Sequence, residues 1–70
     1  MNIYAKKGHK VSCKKLTGDY SHDEQTANKY LQLGKEYTIE RTEVHNWYTD
    51  VYLIEIPDIR FNSVFFEDVK

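Results

Sequence analysis

Two changes of hydrophobic period constrain this chain more than any other feature. Val11 and Cys13 alternate with polar neighbours, and Ala27, Tyr30 and Leu31 then recur at i, i+3 and i+4. From Tyr37 onward the alternation returns. A period of two puts every second side chain on one face of a strand, whereas the middle spacing is the narrow apolar face of a short helix. The chain therefore reads as strands interrupted by one helical excursion.

The boundaries follow from local signals. Val11–Leu16 is a half-buried strand, closed by the turn residues Gly18 and Asp19. Ser21-His22-Asp23-Glu24 has the hydroxyl-then-glutamate spacing of a capping box, which opens a helix. Gly34 supplies a stop, so the helix is expected near residues 22–33. Tyr37 and Ile39 begin a second strand that runs toward Val44, and His45-Asn46-Trp47-Tyr48 breaks it. Thr49–Ile56 resumes the strand pattern, and its apolar residues on both parities predict a central strand covered on two faces. Pro57-Asp58 is a turn, Ile59–Phe61 a short strand, Asn62-Ser63 a tight turn and Val64–Val69 the last strand. Five short strands with one short helix between the first two predict a small barrel, since closure removes exposed edges.

Seventy residues with 14% aromatics and a net charge of −1 describe one small folded domain over residues 1–70, not a disordered chain. Residues 1–7 are either part of that domain or a flexible basic arm. The opening residues contain no apolar stretch of signal-peptide length, and no run approaches the ~20 residues of a membrane span. A single cysteine, Cys13, makes no internal disulfide. The expected setting is the cytoplasm, with no membrane. Charge is uneven. Residues 1–15 carry five lysines and no acid, while residues 35–70 carry eight acids against four bases. Such a basic segment either contacts phosphates or an acidic partner, or simply lies beside acidic strands of the same fold.

Three stretches carry a resemblance. Phe61-Asn62-Ser63-Val64-Phe65-Phe66-Glu67 is similar to the strand, 3₁₀ turn and strand that close Src-homology-type barrels. Lys7-Gly8-His9-Lys10-Val11 resembles the Lys-Gly-x-x-Val entry of many small β-barrels, and Leu33–Ile39 resembles the Gly-Lys-x-Tyr start of their second strand. Residues 8–69 thus resemble the small uncharacterised SH3-like barrel proteins of phages, prophages and other bacterial mobile elements. The resemblance implies a mainly β fold, a five-stranded SH3-like barrel with a short helix between strands one and two, and no particular activity. The chain lacks the Ala-Leu-Tyr-Asp-Tyr segment, paired tryptophan and 3₁₀ proline of peptide-binding Src-homology domains, so proline-rich ligands are not expected.

Candidate chemistry is sparse. His22, Asp23 and Glu24 cluster at the helix start, where capping accounts for the two acids. Nothing has the ligand spacing of a metal site. Cys13 shares its parity with Val11 and is read as an apolar filler rather than a nucleophile. The glycines form no phosphate-cradling loop. No enzymatic activity, cofactor or metal is expected. The sharper signal is aromatic. Tyr20, Trp47 and Tyr48 fall in turns or loops, where tyrosine and tryptophan supply rigid contact area. Trp47 suits either a contact or a plug over one end of a barrel. The leading expectation is a protein-interaction module presenting Tyr20, Trp47 and Tyr48 to an unknown protein partner. The alternative is a weak nucleic-acid binder using Lys6, Lys7, Lys10, Lys14 and Lys15 on phosphates.

Overall fold

The computed structural model describes residues 1–17 and 21–69, with the Ser21 side chain left aside. The element order is β1 (Lys10–Cys13), α1 (Ser21–Tyr30), β2 (Glu36–Val44), β3 (Thr49–Leu53), β4 (Arg60–Asn62), a 3₁₀ turn (Ser63–Phe65) and β5 (Phe66–Asp68). All five strands join one antiparallel sheet in the order β4-β3-β2-β1-β5. The fold is mainly β, with its helix between the first two strands.

The alternation read from the sequence faces the core. Val11 and Cys13 of β1, Tyr37 and Ile39 of β2, and Val51 and Leu53 of β3 are buried, joined by Phe61, Phe65 and Phe66. Ala27 and Leu31 dock α1 on this cluster. Phe66 meets both Tyr37 and Phe61 edge-on, with ring centroids 6.4 and 6.2 Å apart. Phe61 and Phe66 belong to opposite edges of the sheet. In a flat five-stranded sheet those edges would stand about 19 Å apart, beyond the ~15 Å that the four Cα steps from Asn62 to Phe66 can span. The sheet is therefore curled, and the 3₁₀ turn joins its two edges.

A bulge sets the curl in β2. Ile39 pairs with Leu53 but Arg41 pairs with Tyr52, leaving Glu40 as the extra residue. The inward parity switches there, from Tyr37 and Ile39 to Thr42. The first part of β2 pairs with β1, and the later part continues against β3.

Several boundaries differ from those expected, among them the start of the last strand, which lies at Phe66 rather than Val64 because Ser63–Phe65 form the 3₁₀ turn. The helix ends at Tyr30, short of Leu33, because the next residues are claimed elsewhere. The Tyr37 hydroxyl accepts the Gln32 amide at 2.9 Å. Gly34 donates to the Cys13 carbonyl at 2.7 Å, and Cys13 donates back to Lys35 at 3.0 Å. Gly34 is a pivot in the left-handed region (φ 82°) ahead of β2, not the helix cap. Strand β3 stops at Leu53 rather than Ile56 because the Glu55 carboxylate takes over the ladder. It accepts the Thr38 amide through both oxygens, at 2.8 and 3.0 Å. Strand β1 ends at Cys13, not Leu16, and the capping-box reading rests on the Ser21 side chain, outside the described residues.

Residues 1–7 pack against the sheet. Ala5 is buried and Met1 touches the core cluster. The Thr42 hydroxyl donates to the Ile3 carbonyl at 2.8 Å, and the Asn2 amide donates to Asp68 at 3.3 Å.

Candidate functional site

The β2–β3 hairpin turns in four residues, His45–Tyr48. Its register pairs Val44 with Thr49 and Glu43 with Asp50, and the His45 amide donates to the Tyr48 carbonyl at 2.8 Å. So tight a connection leaves Asn46 and Trp47 at the tip, both exposed. Trp47 is 89% exposed and Tyr48 41%. That exposure does not fit the reading of Trp47 as a plug over one end of a barrel. The Tyr48 ring lies on the His45 imidazole, 4.8 Å between centroids at 34°, which stiffens the tip.

Two clefts flank this hairpin. One, of about 290 Å³, runs between the tip and the 3₁₀ turn, lined by Ile3, Val44, Trp47, Tyr48, Asn62 and Val64 among others. The second, of about 310 Å³, separates the hairpin from the start of α1 and is lined by His22, Asp23, Tyr48, Asp50 and Arg60. Asn62 braces the wall between them. Its carbonyl oxygen accepts the Val64 amide at 3.1 Å, and its amide donates to Asp23 at 3.2 Å.

Glu43, His45 and Asp50 meet at the root of the same hairpin, one ligating atom from each lying within 4.8 Å of the others. His45 Nε2 is 3.1 Å from Asp50 Oδ2, and Arg41 donates to Glu43 at 2.6 Å. Among the described residues this is the group able to hold a metal ion; His22, Asp23 and Glu24 form none. Sequence reading missed it because its members belong together only once the turn is centred between Asn46 and Trp47. Counting outward from that point pairs Glu43 with Asp50.

Tyr20, the third aromatic expected at the face, lies outside the described residues. The five lysines are exposed. Lys10 reaches the Thr38 hydroxyl at 2.6 Å, beside Glu55. Ser12, two residues on in β1, pairs with Glu36 on one side and Glu67 on the other. His9 contacts Asp68 at 2.8 Å, and that bond leads the Asn2 amide in holding the Asp68 carboxyl below its ordinary value. Cys13 is buried, and burial pushes its thiol pKa up against the opposing bond to Lys15, so the thiolate is disfavoured. No helix among the described residues is long and apolar enough to cross a membrane.

These features define a small, mainly β protein with one short helix. The family model described as bacteriophage T4 protein Y07B matches residues 2–70, and the chain belongs to that family. Comparison with curated proteins and with solved structures returned no match.

Proposed function

We propose that this protein is a non-enzymatic protein-interaction module of a phage or mobile-element accessory type, with the curled sheet forming a partly open SH3-like barrel. The strand order and the 3₁₀ link between the sheet edges support the barrel. The observation that carries the function is Trp47, 89% exposed at the tip of a stiffened hairpin. An indole of that exposure forgoes about 4–6 kcal/mol of gross burial, as much as a whole core of this size nets. A fold with so little stability gains nothing from leaving it in water, whereas a partner gains a rigid aromatic anchor. Val44, Tyr48 and Val64 extend the apolar surface beside it. The lysines favour this reading over nucleic acid, because β1 lies between acidic strands rather than on a basic face.

The test pairs capture with stability. A photo-crosslinking residue at Asn46, beside Trp47, and, as control, at Val69, just past β5, is exposed to lysate of phage-infected cells. A specific adduct from position 46 that Trp47→Ala and Tyr48→Ala variants of the same probe fail to form, at unchanged melting temperature, is the expected result. Equal capture from both positions, or capture indifferent to the two substitutions, overturns the proposed face.

A further inference from the structure

We propose that Glu43, His45 and Asp50 bind one divalent transition-metal cation at the root of the β2–β3 hairpin. Glu43 and Asp50 are directly opposed in the ladder, so their carboxylates share one face and repel each other. His45 stands two positions beyond Glu43, and its Nε2 already sits 3.1 Å from Asp50 Oδ2. That separation suits two ligands of one ion, which at bond lengths of about 2.1 Å lie about 3.4 Å apart in tetrahedral geometry. All three ligating atoms fall within 4.8 Å of one another, and Glu43, partly exposed on a flexible stem, closes the remaining gap.

Three features make this more than a surface acid pair. Asp50 is 6% exposed, so its charge is held away from water, with the half-exposed imidazole as its contact. A buried carboxylate in that position gains strongly from a cation. The Tyr48 ring against His45 limits imidazole rotation, which preorganises the donor. Arg41, held over the Tyr52 ring at 4.1 Å, donates to Glu43 Oε1 at 2.6 Å and so fixes the carboxylate, taking one of its several acceptor sites. The donor set selects the ion. One imidazole and two carboxylates suit Zn²⁺ or Mn²⁺, whereas Mg²⁺ and Ca²⁺ prefer all-oxygen sites. The partial exposure of His45 and Glu43 leaves room for water to complete the coordination.

The protein carries its own reporter, because its single tryptophan, Trp47, lies two residues from His45. Metal-stripped protein is titrated with ZnCl₂, MnCl₂ and MgCl₂, following Trp47 fluorescence and, by calorimetry, stoichiometry. The expected result is saturable binding of one Zn²⁺ or Mn²⁺ per chain and no response to Mg²⁺. Glu43→Gln and His45→Gln should each weaken it by about tenfold or more, while His9→Gln, at the other histidine–carboxylate pair, leaves it unchanged. Asp50→Asn tests the third ligand, but the two more exposed variants decide the matter if that one fails to fold. No saturable response to Zn²⁺ or Mn²⁺ below about 1 mM, or one that Glu43→Gln and His45→Gln both leave intact, overturns the site. So does a response abolished by His9→Gln.

Discussion

Trp47 and Phe61 carry large aromatic rings with opposite thermodynamic duties. Phe61 is buried between Tyr30 and Phe66, in edge contact with both rings. Phe61→Ala should cost about 3–5 kcal/mol, enough to leave a chain of this size largely unfolded. Trp47→Ala should change stability by no more than about 0.5 kcal/mol, since the ring touches little of the fold. Thermal denaturation followed by circular dichroism separates the two, and a Trp47→Ala variant that melts far below the parent contradicts the exposed tip.

At the scale of elements, Asn62 ties three pieces together. It ends β4, caps the 3₁₀ turn through Val64 and reaches Asp23 in the first turn of α1. An N-cap amide side chain that satisfies an orphan backbone donor is worth about 1 kcal/mol, and a buried partner left unpaired adds to the loss. Asn62→Ala should therefore cost about 1–2 kcal/mol in urea denaturation. Asn62→Asp keeps the cap acceptor but sets a second carboxylate against Asp23, and should be no better than Ala at neutral pH. A neutral Asn62→Ala would show that helix and sheet are joined by packing alone.

Over the whole molecule, charge decides the response to acid and to polyanions. Glu55 and Asp68 both hold carboxyl pKa values below the ordinary range. For Glu55, burial is the largest single influence and opposes the charge, but the bonds from Thr38 and the nearby Lys10 together outweigh it. A depressed folded pKa stabilises the fold above the unfolded value, about 4, and that contribution is lost as pH falls through the folded value. The melting temperature should stay level with respect to these two groups from neutral pH to about 5 and decline below about 4. Glu55→Gln should flatten that decline, and an unchanged acid limb would rule out the Glu55–Thr38 bond as its source. The acids flanking β1 also oppose polyanions. Binding of labelled single-stranded or duplex oligonucleotides, followed by anisotropy, should be weak at low salt and gone by about 150 mM. Submicromolar binding at that salt would instead promote the nucleic-acid reading.

Local physics was enough for much of this molecule. Alternation placed Val11, Cys13, Tyr37 and Ile39 inside, and the change of period located the helix, because strand and helix periodicity are properties of neighbouring residues. The break at His45–Tyr48 was legible for the same reason, whereas the closing strand, 3₁₀ turn and strand were legible through the resemblance of residues 61–67 to Src-homology-type barrels. What depended on distant partners was not. The helix stops at Tyr30 because Tyr37 and Cys13 claim the backbone that follows, and β3 stops at Leu53 because the Glu55 carboxylate meets Thr38. The bulge at Glu40 moved Glu43 onto the same face as Asp50, a placement that alternation carried forward from Tyr37 would have reversed. Trp47 was recognisable as a loop aromatic, but only the tight hairpin register left it in water. The Glu43–His45–Asp50 cluster likewise exists because two strands pair in one register, and a one-residue slip would scatter it.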